Sequence, residues 1–410
     1  MLQSGDRLTP VSARERIREI DMLRGFALLG VLLVNTQMFN DTLMSFSFSP
    51  FTYDSATDRT AALLIQVFAT GKFYTLFSFL FGLGFYLFME RLQQKGVSPI
   101  PLFRRRLLYL LFFGVLHMIF FWYGDILTAY AFTGFLLTLF WKKNPEVLKK
   151  WIIILLLLST LFLSFIMAGQ MVRMDQLSDA QYKAYAAGVQ ETVELYRDGS
   201  YLDTLRFRLQ YELKMVYISF MFWIPKILAL FLAGLYTGKV GLFRNLSEKK
   251  SLIQKYFRRS AFIGWPLTLL YVALDAGVIP LNPFTERFIA ELAKEVTTVA
   301  VCLFYLTGLL LLWQQPAWRR KLESFEQVGR LAFTHYLTQS VILTLLFYGH
   351  GLGLMHRIPI WQGVIITLMI YGLQMIISRP MLRRWGHGPM EILWRKGTYG
   401  GKLETLKRVE

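Results

Sequence analysis

The sequence predicts an all-α polytopic membrane protein: a bundle of about ten transmembrane helices, both termini cytoplasmic, with a short helical insertion on the extracytoplasmic side. Three observations carry this. Of 410 residues, 54% are hydrophobic and only 18% charged, outside the ordinary range of soluble domains. The apolar residues come in runs of about 18 to 22, and about 20 are needed to cross a hydrocarbon core roughly 30 Å thick. The basic residues flank those runs unevenly, in the alternation that holds Lys- and Arg-rich loops on the cytoplasmic side.

Taken in order, a polar stretch to Glu19 precedes the apolar run Phe26 to Phe39, which has no small-residue cleavage pattern after it and reads as an uncleaved first span near 22–40. Further spans are expected near 69–89, 107–123, 126–141, 151–168, 214–235, 260–277, 295–313, 331–349 and 360–377. Threaded from a cytoplasmic N-terminus, the inside segments (1–21, 90–106, 142–150, 236–259, 314–330 and 378–410) carry 32 of the 45 Lys and Arg residues. The outside segments (41–60, 124–125, 169–213, 278–294 and 350–359) carry 9, and Arg24, Lys72, Lys214 and Lys226 fall within spans. The chain thus divides into a cytoplasmic segment 1–21, a transmembrane domain 22–377 and a cytoplasmic tail 378–410, in an inner membrane.

The long outside segment 169–213 has its own helical grammar. Ser178 with Gln181 forms a capping box, Tyr182, Tyr185, Val189, Val193 and Tyr196 recur at helical spacing, and Gly199 can end the helix. Ser200 with Asp203 then starts a second helix towards the sixth span. The pair reads either as a lid over an outward-facing cavity or as a connector on the membrane surface.

The formal charge of +18 would suggest nucleic acid in a soluble protein; distributed at the ends of apolar runs, it marks topology instead, and no nucleic-acid partner is expected. The single Cys302 excludes intramolecular disulfides and thiolate metal cages. No metal-ligand spacing, phosphate-binding loop, nucleophile elbow or zinc-protease pattern occurs, so no metal or bound cofactor is expected.

Ionisable groups are costly in lipid, so those within spans are functional candidates. Asp21 and Arg24 lie one turn apart and can pair, as an interfacial anchor or as a binding group. Asn35, about 16 Å further along the helix, needs a partner at depth, whether a neighbouring helix or a ligand. His117, then Asp125 in the Tyr123-Gly124-Asp125-Ile126 turn and Tyr130 beyond it, form the most suggestive local cluster. Imidazole can trade a proton near neutral pH, but eight residues of continuous helix would put about 12 Å between His117 and Asp125, so direct contact is not expected. Lys226 follows Pro225 too deep in the sixth span to snorkel out and calls for a carboxylate or an anionic substrate group. Lys72, Asp275 and Glu295 fall near outer ends of spans, where charges reach water. In the polar entry of the ninth span, Gly329 to Ser340, His335 and Gln339 share a face and can join helices.

These residues resemble the YeiB-like family of bacterial integral membrane proteins that carry domain of unknown function 418. The resemblance is nearly full length: Asp21-Met22-Leu23-Arg24-Gly25-Phe26 with Val34-Asn35, Gly71-Lys72-Phe73, Leu76 to Gly82, His117 with Gly124-Asp125-Ile126-Leu127 and Tyr130-Ala131, Thr334 to Ser340, and Gly388-Pro389-Met390-Glu391 with Leu393-Trp394-Arg395. The family part is expected from about residue 239, and His335 stands where the family commonly has Asn. The first-span pattern is also similar to that of transmembrane acyltransferases, which pass an acyl group from cytoplasmic acyl-coenzyme A to an acceptor across the membrane. In that group a His stands where this chain has Asn35, or in the following loop, and residues 36–60 contain no His.

Two functions follow. In one, Arg24 and the basic loops meet the phosphates of acyl-coenzyme A as co-substrate and His117 with Asp125 activates an extracytoplasmic or lipid-linked acceptor, with Asp21, Asn35, Lys72, Tyr130, Lys226, His335 and Gln339 as candidate substrate contacts. In the other, Lys226, His117 and Asp125 line a path for a small or lipid-like solute through a transporter or exporter. Membrane lipids are the expected partners, with a homo-oligomer as a further arrangement.

Overall fold

The computed structural model describes residues 16–43, 45 and 55–400; the N-terminal segment is therefore described from Arg16, the tail to Gly400, and the remainder of both, with most of 41–54, lies outside the described residues. Fifteen α-helices follow one another, and no strand occurs, among the described residues. They are α1 (Arg18–Phe39), α2 (Ala56–Phe68), α3 (Lys72–Gln94), α4 (Pro99–Phe120), α5 (Leu127–Leu137, prolonged by a 3-10 turn to Phe140), α6 (Pro145–Asp175), α7 (Asp179–Asp198), α8 (Tyr201–Phe207), α9 (Leu213–Lys239), α10 (Lys250–Asp275), α11 (Pro283–Trp313), α12 (Pro316–Arg330), α13 (Ala332–Phe347), α14 (Ile360–Trp385) and α15 (Pro389–Tyr399).

A helix lies at each of the ten expected span positions. Six helical stretches are long and apolar enough to cross a membrane: Arg18–Phe39, Ala56–Gln94, Pro145–Asp175, Tyr201–Lys239, Pro283–Trp313 and Ile360–Trp385. Leu127–Phe140 and Ala332–Phe347 are apolar but shorter, while α4 and α10 carry Arg104 to Arg106 and Arg258 with Arg259 inside their helical bounds. The solvation pattern is that of a multi-pass membrane protein. Phe262 is 81% exposed, Leu269 and Ile376 72% each, and Leu157, Leu158, Phe165 and Leu368 are exposed as well, whereas Lys72, Lys226, His117 and Asp125 are buried. A soluble monomer would not turn such large apolar rings and chains outward on several helices; lipid receives them at no cost.

The first expected outside segment, 41–60, does not end as loop. Ser55 accepts the Asp58 amide at 3.0 Å and so starts α2, which buries Ile65. The capping boxes at Ser178 and Ser200 form as expected and start α7 and α8. Of the apolar stripe on α7, Tyr182 stays exposed and only Val193 and Tyr196 are buried, because only the C-terminal half meets the bundle. There Tyr196 packs on Tyr348 at 4.7 Å between ring centroids, and its carbonyl accepts the Gly349 amide at 2.8 Å.

Small residues set the closest helix crossings. A Cβ on Gly25 of α1 would run into the Phe325 carbonyl of α12, and one on Gly329 into the Asp21 carbonyl, so α1 and α12 touch backbone to backbone. Gly82 of α3 and Gly234 of α9 play the same part, against the Phe231 and Phe79 carbonyls. Polar bonds then staple the buried faces: Tyr371 donates to the Gly25 carbonyl at 2.7 Å, and Thr367 donates to Thr36 at 2.9 Å.

The basic segments gather at one end of the bundle. Arg18 bonds Glu326 at 2.5 Å, Arg244 pairs with Glu90, Lys239 donates to the carbonyls of Trp141 and Lys143, and Trp394 donates to the Arg106 carbonyl at 3.0 Å. At the opposite end Asn40 donates to the Ile358 carbonyl at 3.1 Å, Arg357 pairs with Asp198 at 2.7 Å, and Tyr201 donates to the Phe120 carbonyl at 3.0 Å.

Candidate functional site

The His117 and Asp125 side chains are in contact, which corrects the separation expected from helix arithmetic. That arithmetic assumed unbroken helix, but α4 stops at Phe120 and the chain reverses through Phe121 to Ile126. The reversal brings the Asp125 carboxylate back alongside the last turn of α4, where its Oδ1 lies 2.9 Å from His117 Nδ1. Its other oxygen accepts the Thr128 amide at 2.7 Å, capping the start of α5. Gly114, one turn before His117, makes the close return feasible: a Cβ there would stand 2.6 Å from the Thr128 nitrogen and 3.0 Å from Asp125 Oδ2.

Both side chains are almost wholly buried, at 1% and 0% exposed. The carboxylate accepts from Nδ1–H, the tautomer that in a neutral ring leaves Nε2 its lone pair. Among the described residues Nε2 has no hydrogen-bond partner, while the Tyr336 ring lies 5.2 Å away, centroid to centroid, and Phe121 stacks at 6.2 Å. Tyr336 in turn accepts the Ile126 amide at 3.3 Å, tying α13 to the same turn. An oriented imidazole with a free nitrogen, backed by a carboxylate that also holds backbone, is the arrangement a general base requires.

The other expected residues fall into structural pairs. Tyr130 donates to the Tyr74 carbonyl at 3.1 Å and lies 2.7 Å from the Ser78 hydroxyl, fastening α5 to α3. Lys226 finds its carboxylate in Glu295 of α11, with Tyr74 and Trp223 rings 5.2 and 5.5 Å from the ammonium. Lys72 and Glu295 do not reach water as expected; they are 1% and 7% exposed, because Gln66 of α2 and the Tyr271 ring of α10 cover Lys72, while α10, α6 and α3 pack around α11 and Lys226 meets Glu295 there. Lys72 donates to the Gln66 carbonyl of α2 at 2.7 Å. His335 lies 2.8 Å from Ser378, and Gln339 donates to Gln374 at 2.8 Å, joining α13 to α14 as the shared face implied. Asn35 is half-buried, and no side-chain hydrogen bond to it occurs among the described residues. Asp21 bonds both Arg16 and Arg24, the latter at 2.8 Å, at the basic end. The candidates therefore form no single pocket: the His117 group, the Lys226 pair and the Arg24 group are separate.

Sequence reasoning missed a second polar group near the dyad. The chain between α8 and α9 makes a π-helical turn, Arg208–Glu212, which turns both charged residues inward to 1% and 2% exposure. Glu212 accepts the Tyr196 hydroxyl at 2.5 Å, and Arg208 donates to the Ile119 carbonyl at the end of α4 at 2.9 Å. The only signal was two charges four residues apart entering an apolar helix. Among the described residues no group of three His, Cys, Asp or Glu side chains is placed to hold a metal.

Fold and site together define a multi-pass helical membrane protein with a buried His–Asp pair. Residues 237–401 match a family described as protein of unknown function (DUF418). The chain is similar to the uncharacterized protein YxaH of Bacillus subtilis (strain 168), 32% identical over 409 residues that cover 96% of each chain. It is 30% identical over 403 residues to an uncharacterized 39.9 kDa protein in the amylase 3′ region of Bacillus acidopullulyticus, covering 98% of this chain and 99% of that one. To the uncharacterized protein YeiB of Escherichia coli (strain K12) it is 26% identical over 416 residues, covering 94% and 96%. The chain belongs to this YeiB-like, DUF418 family.

Proposed function

We propose that the protein is a transmembrane acyltransferase-like enzyme of the bacterial inner membrane, with ten spans and both termini cytoplasmic, that transfers an acyl group from cytoplasmic acyl-coenzyme A to an acceptor hydroxyl on or near the outer side. The observation that carries the reading is the His117–Asp125 pair with an unpartnered Nε2. In the step it supports, Nε2 takes the proton of the acceptor hydroxyl as its oxygen bonds to the thioester carbonyl. The carbon–sulfur bond then breaks, and the leaving thiolate recovers that proton. Asp125 holds Nδ1–H and stabilises the imidazolium formed in between. Arg24 and Arg106 stand on the basic end, Arg106 about 16 Å along α4 from His117, so the donor enters from one end and the acceptor from the other. Because Nε2 is enclosed, the Tyr336 and Phe121 rings must shift to admit the acceptor. Transport through Lys226 has weaker support, since its ammonium is bound by Glu295 within the bundle.

The test uses purified protein in lipid nanodiscs, with free coenzyme A thiol followed after addition of acetyl- or longer acyl-coenzyme A. Release should fall by about 10²-fold or more in His117→Gln, the scale of general-base catalysis. Thiol release that His117→Gln leaves unchanged, or none across the chain-length panel, refutes the reading.

A further inference from the structure

Among the described residues, the basic end holds more positive charge than its carboxylates answer. Arg16 precedes α1, Arg24 lies in its second turn, Arg106 near the start of α4, Arg330 at the end of α12, His387 in the link after α14 and Arg395 on α15. α15 packs on α4 with Arg106 over the Trp394 ring, and the six feel one another's charge: His387 that of Arg395, Arg16 and Arg330, Arg106 that of Arg395 and Arg24, and Arg395 that of Arg16. The neighbouring carboxylates are committed elsewhere. Asp21 takes Arg16 and Arg24, Glu326 takes Arg18, and Glu391 accepts the Phe333 and Thr334 amides at 2.9 and 3.1 Å and the Thr334 hydroxyl at 2.5 Å. Arg106, Arg330 and Arg395 make no ion pair among the described residues.

These groups are also held in place. The Arg106 guanidinium sits 3.7 Å from the Trp394 ring centroid and 5.3 Å from that of Phe88, which holds it in place, and no side-chain hydrogen bond to it occurs among the described residues. Among the described residues, Arg330 Nε and His387 Nδ1 have no hydrogen-bond partner. Arg24, Arg106, Arg330, His387 and Arg395 are all half-buried, shielded enough to strengthen a charge interaction and open enough for a ligand to reach. Burial, with the surrounding guanidiniums, pushes His387 down to about 4 and lowers Arg395 and Arg330 from their ordinary values, a lowering that Glu391 beside Arg395 and Asp21 and Glu326 beside Arg330 do not cancel.

We propose that this cluster is a binding site for a phosphate oxyanion, presented either by a soluble phosphorylated ligand or by the headgroup of an anionic lipid. Planar guanidiniums with free edges match the spacing of phosphate oxygens and bind them through two parallel hydrogen bonds. The assignment needs no chemistry at His117 and does not rest on acyl transfer.

Full-length protein in phosphatidylcholine nanodiscs provides the test. Inorganic pyrophosphate and adenosine 3′,5′-bisphosphate are the soluble probes, and replacing part of the phosphatidylcholine with phosphatidylglycerol is the lipid arm. Binding is read at fixed ionic strength as a dissociation constant and as a rise in unfolding temperature. One arm should raise the unfolding temperature of the unaltered protein, and which one does identifies the source of the phosphate. Arg395→Gln and Arg106→Gln should each weaken binding roughly tenfold or more, and Arg259→Gln, on an exposed face of α10, should not change it. If either cluster variant fails to elute as a monodisperse particle without ligand, Arg330→Gln takes its place. No response of the unaltered protein in either arm overturns the proposal, as does equal binding by the cluster variants and Arg259→Gln.

Discussion

The Lys226–Glu295 pair links α9 to α11 at a depth where neither side chain reaches solvent, with side-chain exposures of 1% and 9%. Removing one member of such a pair strands the other charge in a low-dielectric interior and costs about 3–5 kcal/mol, whereas replacing both by apolar residues of similar volume is often neutral or stabilising. Lys226→Met should therefore destabilise by about 3–5 kcal/mol, and Glu295→Met by a comparable amount. The double variant loses both charges together. What it forfeits beyond them is the attraction of the ammonium for Tyr74 and Trp223, about 0.5–2 kcal/mol per ring at most. It should thus recover several kcal/mol of the roughly 6–10 kcal/mol that the single costs would give if they simply added. Unfolding free energies of the four proteins in mixed micelles close the double-mutant cycle. Strict additivity, with the double variant as unstable as the two singles combined, would refute the view that the pair is a mutual solution to burial. A double variant that is stable yet loses a measured solute flux would instead favour Lys226 as a transport group.

Gly329→Ala places a methyl group against the Asp21 carbonyl where α1 and α12 touch; overpacking of this kind costs about 1–3 kcal/mol, and the unfolding free energy in micelles should fall accordingly, with cross-linking between α1 and α12 reduced. Glu391→Ala removes the carboxylate that caps α13 through the Phe333 and Thr334 amides; hydrogen bonds to a charged group contribute about 1.5–3 kcal/mol, and hydrogen exchange at those two amides should accelerate first. The His387 pKa is about 4 in the fold against about 6.5 when unfolded, so the unfolded chain takes up the proton first on acidification. Its contribution to stability is complete above about pH 6.5 and declines as the pH falls towards 4. The pH–stability curve of His387→Gln should be flatter over that window, and added pyrophosphate should flatten the curve of the unaltered protein by offsetting the surrounding positive charge.

What was legible in the sequence follows the range of the interactions concerned. Ser178 with Gln181 and Ser200 with Asp203 start α7 and α8 as read, because a capping box is closed within four residues. Helix positions were legible for the same reason, since apolar length is a local property, while the membrane crossings themselves rest on the gathering of basic segments at one end. His117 and Asp125 were legible as a cluster but not as a bonded pair, because their meeting depends on where α4 stops, and chain reversal at Phe121 has no proline or glycine to announce it until Gly124. Lys226 advertised its need for a carboxylate through its own burial cost, yet nothing local selects Glu295, sixty-nine residues away, over Asp275 or Glu291. The Arg106, Arg330 and Arg395 cluster is the extreme case. Each residue reads alone as an ordinary topology-setting cation at the end of a span, and only the folding of α15 beneath α4 makes them neighbours. A basic loop can therefore serve two ends at once: repelling translocation while the chain inserts, and holding an oxyanion once the helices have closed around it. The two roles separate experimentally. Charge-conserving Arg→Lys changes keep the first and, lacking the planar fork, lose much of the second, so Arg106→Lys should insert normally and bind pyrophosphate weakly.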